Sequence, residues 1–167
     1  MQRTFEGETP SVAGSAFVSE MAYLVGDVTV ADGASVWPFV CLRGDGGAVA
    51  VGRDTNVQEG TTIHGATLGD RVTVGHNAVV DYCEVRDDVL VGMGSCVLSG
   101  ATVESECVVA AGSVVTHDQT VPSGHLAYGT PAETRPLTEG QREDVARHAA
   151  DYVALGRRFR EAGLGRD

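Results

Sequence analysis

The sequence predicts an all-β solenoid, a parallel β-helix of six-residue repeats, followed by one amphipathic helix. Three observations predict it: an aliphatic residue at every sixth position, a second register of small residues, and turn formers between the two. The aliphatic register runs Val18, Leu24, Val30, Val36, Leu42, resumes at Val51, Val57, Ile63, and continues Leu68, Val74, Val80, then Val85, Val91, Val97, Val103, Val109, Val115. Two steps are five residues long, 63 to 68 and 80 to 85; the rest hold six within each run. Four residues after the anchors stand Ala22, Val28, Ala34, Val40, Thr61, Ala78, Ser95, Ala101, Cys107 and Ser113.

Each element of that reading has a physical reason. A helix would place apolar residues at i, i+3, i+4 and i+7, and a sandwich would space its strands by roughly 8 to 12 residues. A six-residue period instead gives one short strand and one corner, and three such units close one turn of a triangular prism. About sixteen anchors predict roughly five to six coils. Large and small residues alternate inside, which suits a narrow core in a chain with 43% apolar but only 5% aromatic residues and 22 glycines. The corners are supplied by segments such as VGDV, ADGA, VGRD and LGDR.

After Gly129 and Pro131 the pattern changes. Thr138 to Gln141 reads as a capping box, and Val145, Ala149, Tyr152, Leu155 and Phe159 follow at helical spacing, with arginines in the last turns. The expected organisation is therefore a β-helix domain over 1–137 and a helix within 138–167 packed on the prism's flank or on a neighbour's.

The chain has 12 basic residues, all arginine, against 23 acidic ones, a net charge of −11. So acidic a surface repels phosphate backbones and anionic headgroups, which argues against nucleic-acid and membrane partners. The four cysteines have no CxxC spacing, and there is no leader-like or membrane-length apolar run, so reduced thiols in a cytoplasmic protein are expected.

Coil geometry brings certain polar residues together. Ile63 and Val80 lie one full turn apart, so His64 and Asp81, each following its anchor, should share a face with backbones about 5 Å apart. His76, two steps from His64, belongs near another edge of the triangle, roughly 16 to 20 Å away. It can share a metal with His64 and Asp81 only if a second chain brings them together around a threefold axis. Three N/O ligands with one open position is the arrangement of catalytic zinc.

The stretches SVWPFVCLRGD, VGRDTNVQEGTTIHG, VTVGHNAVVDYC and VLVGMGSCVLSGATV, with TPA before the helix, resemble the γ-class carbonic anhydrases over roughly residues 15 to 160. The resemblance implies a left-handed parallel β-helix, a homotrimer, and a zinc site held by three histidines from two subunits. His64 and His76 match two of them; at the third position stands Asp81. An aspartate can bind zinc, but an anionic ligand weakens the metal's pull on a water proton, and two histidines with a carboxylate also suit iron(II). By the same resemblance Arg43 and Asp45 form the pair that links subunits beside the site. The resemblance also implies that Gln58 hydrogen-bonds metal-bound water or bicarbonate, and that Glu59, one methylene longer than the aspartate usual at its position, keeps a carboxylate able to accept a proton.

Asn56 and Asn77 are expected to serve corner backbone, Tyr82 and Tyr128 to line the pocket, and Glu84 to face solvent. Four functions fit: hydration of CO2, hydrolysis of a thioester or related carbonyl compound, a repurposed scaffold without hydratase activity, and acyl transfer. The last is disfavoured because the one candidate loop, 43–50, is rich in glycine and lacks histidine.

Overall fold

The computed structural model describes residues 1–165 and consists of a left-handed parallel β-helix of about seven turns with a single helix, Glu139–Glu161. Every aliphatic anchor named above points inward and is almost completely buried. The small-residue register is buried with it; Thr61 and Ser95 satisfy their hydroxyls on the Gly75 and Gly92 carbonyls, at 2.9 and 2.6 Å.

Three faces result. The first carries Gln2–Arg3, the starts of Tyr23–Val30 and Cys41–Val51, then Thr62–His64, Val79–Asp81, Cys96–Val97 and Val114–Val115. The second carries Ser11–Val12, the ends of the two long strands, then Thr67–Leu68, Glu84–Val85, Thr102–Val103 and Thr120–Val121. The third runs from Phe17–Val18 to His125–Tyr128, where Glu133–Pro136 adds an antiparallel strand. All other strand pairs named are parallel.

Two expectations are corrected. The coil number is about seven, not five to six. The first coil, Gln2–Arg3 and Ser11–Val12, is polar in sequence and offers few aliphatic anchors, and the last uses Val121 and Ala127, beyond the regular register. The segment 43–50 is not a protruding loop. It continues the eleven-residue strand Cys41–Val51, which pairs with Tyr23–Val30 around the corner with a register shift between Gly26 and Val28. Gly44 makes this possible, because a Cβ there would lie 2.1 Å from the Asp27 carbonyl oxygen.

The helix lies on the third face of its own chain. Its capping box is formed, with the Thr138 amide donating to Gln141 Oε1 at 3.0 Å and the Gln141 amide donating back to Thr138 Oγ1. Val145 and Ala149 are buried, and Phe159 and Tyr152 close an aromatic cluster around Trp37 and Phe17, with ring centroids 4.9 to 5.6 Å apart. Ser35, beneath Gly156, is small enough to let the helix backbone approach.

All four cysteines are free thiols. Burial pushes the Cys83 thiol up to about 12, from an ordinary value of 9.0. The neutral thiol is therefore the native form, and its contribution to stability is complete below pH 9 and lost as pH rises from 9 through 12. A Cys83→Ala variant should show a smaller loss of stability across that window than the parent, measured by denaturant titration at each pH.

Candidate functional site

The first face ends at one edge with His64 and Asp81, and begins at the other with Glu59, His76 and their corner. Asp81 pairs with His64 across the ladder, as the coil spacing requires, and Arg43 lies next in the same row. Asp81 Oδ1 meets His64 Nδ1 at 3.0 Å. The other ring nitrogen, Nε2, faces the Tyr82 hydroxyl at 3.2 Å and Asp45 Oδ1 at 3.5 Å. Arg43 Nη2 donates to Asp45 Oδ2 at 2.8 Å, and this bond holds the Asp45 carboxyl below its ordinary range. The same bond raises the Arg43 guanidinium.

Tyr82 is set by backbone geometry. It occupies a corner with φ +44°, a left-handed conformation that costs an L-residue about 1 kcal/mol or more. Its ring rests edge-on to His64 with centroids 4.5 Å apart, in a cradle of three glycines. A Cβ on Gly46 would lie 2.4 Å from the hydroxyl, one on Gly47 3.0 Å from the ring, and one on Gly65 2.5 Å from it. Sequence reading placed Tyr82 near the pocket but missed this cradle; the GDGG run is the signal that pointed to it. Gly65→Ala should displace the ring and strain a second left-handed position, because Gly65 has φ +55°. The expected loss is about 1 to 3 kcal/mol, read by chemical denaturation.

At the opposite edge His76 Nδ1 lies 2.8 Å from Glu59 Oε2, without forming a hydrogen bond. Gln58 is buried beside them and donates to Asn56 Oδ1 at 3.1 Å; Asn56 in turn donates to Thr73 Oγ1 at 2.8 Å beneath the helix. Asn77 occupies its corner with φ +58°, its main-chain N–H donating to the Glu59 carbonyl, whereas the Asn56 side chain bonds the Thr73 and Gln58 side chains and not the corner backbone expected of it. Tyr128 sits on the last coil near Glu133, away from either cluster, and Glu84 is exposed beside Arg86.

Within one chain, then, the structure joins Arg43, Asp45, His64, Asp81 and Tyr82 at one edge, and Gln58, Glu59 and His76 at the other. Among the described residues no group of three or more histidine, cysteine, aspartate and glutamate side chains is arranged to hold a metal ion within a single chain. No helix among them is long and apolar enough to cross a membrane.

Comparison with known proteins places this geometry. Residues 85–117 match the model of the hexapeptide repeat of succinyl-transferase. The chain is 39% identical over 160 residues to γ carbonic anhydrase 2, mitochondrial, of Arabidopsis thaliana, covering 89% of this chain and 58% of that protein. The chain thus spans little more than half the length of its plant relatives. It is 32% identical over 162 residues to a carbonic anhydrase of Geobacillus kaustophilus, covering 93% of this chain and 89% of that protein. Among solved structures, a Bacillus cereus protein described as a putative acetyltransferase superposes with TM-score 0.94 at 34% identity, covering 97% of this chain and 98% of that one.

Proposed function

This chain belongs to the γ-class carbonic anhydrase family of hexapeptide-repeat proteins, and we propose that it is a homotrimer with a divalent metal, zinc or iron(II), held between subunits to hydrate CO2 or a related small carbonyl compound. One observation carries this reading. The first face is left uncovered by the helix, presents Tyr23, Val79, Cys96 and the corner residue Phe39 (64% exposed) to solvent, and is bordered on its two edges by the two half-clusters. Packing three copies through that face brings His64 of one subunit toward His76 of the next, and buries an apolar surface that would otherwise be exposed.

The donor chemistry fits a divalent cation. Two imidazoles and nearby carboxylates are N/O ligands suited to zinc or iron(II). Asp45 Oδ1 and Glu59 Oε2 are the two solvent-shielded side-chain oxygens without a hydrogen-bond partner among the described residues, and one lies on each edge. A metal bound there supplies Lewis acidity that activates water near neutral pH. The chain's own part is to hold the ion through His64 and His76 with a carboxylate. Gln58 offers its buried amide to the substrate, Glu59 accepts a proton at Oε2, and Arg43 fixes Asp45. The four free thiols suit a reducing, cytoplasm-like compartment.

The test exploits the shared site. His64→Ala and His76→Ala should each form trimers without metal or CO2 hydration in stopped-flow assays. Random co-assembly of the two variants should restore about one quarter of wild-type sites, since each mixed trimer has one intact interface. No recovery on mixing, with trimers intact, sinks the shared site.

A second reading, acyl transfer or thioester hydrolysis, is favoured by one feature. A groove of about 220 Å³ is lined by Gln58, Gly75, Leu90, Gly92, Val108 and His148 of the helix. It would admit a short acyl chain. Turnover of acetyl thioesters with no CO2 hydration would favour this reading over the first.

A further inference from the structure

We propose that the carboxylate which ligates the metal in this chain is Asp45, through Oδ1, and that Asp81 is a positioning residue that holds His64 from behind. The inference rests on the shared-metal reading above and departs from the expectation that Asp81 itself is a ligand.

The argument starts from the two nitrogens of one ring. A carboxylate only accepts hydrogen bonds, so the 3.0 Å contact from Asp81 Oδ1 makes Nδ1 the protonated nitrogen of His64. The lone pair is then on Nε2, and the Tyr82 hydroxyl, 3.2 Å away, is placed to donate to it. Both contacts agree on one tautomer. A nitrogen already engaged by Asp81 is not the one that binds a metal, and a carboxylate hydrogen-bonded to the far nitrogen of a histidine ligand is the usual way such a ring is oriented.

Around Nε2 the nearest carboxylate is Asp45. Two donor atoms bound tetrahedrally to one ion at zinc distances lie roughly 3.3 to 3.6 Å apart. Asp45 Oδ1 is 3.5 Å from His64 Nε2, shielded from solvent, and makes no hydrogen bond of its own. Its other oxygen is pinned by Arg43 at 2.8 Å, so the free lone pair is held in a fixed direction. The long strand Cys41–Val51 carries Asp45 around the corner into this position, which the glycines on either side permit. With the partner subunit's His76 added, the residues that would hold the ion are two imidazoles and one carboxylate. Tyr82 is the group that Nε2 exchanges for the ion.

Cobalt(II) titration of the full-length trimer, followed by its visible ligand-field bands, tests this without reference to turnover. Asp81→Asn, which keeps an acceptor, should leave the wild-type bands in place; Asp81→Ala should keep them too, with affinity about 10- to 100-fold weaker. Asp45→Asn should shift the bands or abolish binding, and Asp45→Glu should recover a carboxylate-ligated spectrum. Light scattering on each variant confirms the trimer, so that loss of assembly is not mistaken for loss of a ligand. If Asp45→Asn keeps the wild-type spectrum while Asp81→Asn loses it, Asp81 is the ligand and the inference fails with the shared metal site intact. If the wild-type trimer binds no cobalt at all, the metal reading fails and takes the inference with it.

Discussion

Replacing Val79 by arginine is expected to convert the assembly into folded monomers that bind no metal and hydrate no CO2. Val79 is the outward residue of its strand, 38% exposed in the single chain, and stands between Thr62 and Cys96 on the uncovered face. Its neighbour Val80 faces the interior and is fully buried, so the substitution leaves the coil's core untouched. In a trimer built through this face the change would bury three guanidinium groups without partners. Leaving a buried charge uncompensated costs about 3 to 5 kcal/mol for each one. The variant should elute and scatter as a monomer while keeping the circular dichroism of the parent. Thiol labelling gives a second readout. Cys41 and Cys96 are half-buried on this face, so iodoacetamide should modify them in the monomer and spare them in the trimer, while buried Cys83 and Cys107 stay unreactive in both. A Val79→Arg protein that remains a trimer would place the subunit contact elsewhere.

How much of this was legible beforehand follows from which degrees of freedom spacing controls. The inward anchors were readable because each two-residue strand has one inward position, so a period of six maps directly onto burial. The same arithmetic put His64 beside Asp81 and His76 on another edge, and the structure has both arrangements. The first coil escaped because Gln2–Arg3 and Ser11–Val12 contribute almost no aliphatic signal. What spacing does not control is side-chain direction. Whether Asp81 meets Nδ1 or Nε2 of His64 depends on ring rotation and on the reach of one carboxylate. The place of Asp45 depends on a strand that keeps its pairing around a corner where the glycine-rich sequence suggested a loop. Tyr82 combines both difficulties, since its aim is set by a left-handed corner and by room left on three other residues.

Gly44→Ala is the backbone counterpart of the interface variant and is expected to be among the most destabilising single methyl additions. Its Cβ would lie 2.1 Å from the Asp27 carbonyl oxygen, 2.5 Å from the carbonyl carbon and 2.7 Å from the amide nitrogen. These are main-chain atoms of the adjacent strand at the register shift, and no side chain can rotate to make space. Gly26, across the same contact, is equally closed, with a Cβ position 2.5 Å from the Gly44 oxygen. The two strands must therefore part. Overpacking of this kind costs about 1 to 3 kcal/mol, and the upper figure applies where backbone must move. For a chain of this size that corresponds to a fall in Tm of roughly 6 to 12 °C. The strain also falls between Arg43 and Asp45, so their 2.8 Å bond and the approach of Asp45 to His64 should be lost together, and cobalt binding should weaken more than stability alone explains. Gly140→Ala is the matched control. It adds the same methyl to the first turn of the helix, where nothing lies within 4 Å, and should stabilise by about 0.5 to 1 kcal/mol with metal binding unchanged. Equal melting temperatures for the two variants would mean that the corner yields freely. Asp45 would then lack the rigid support that a metal ligand at that position requires.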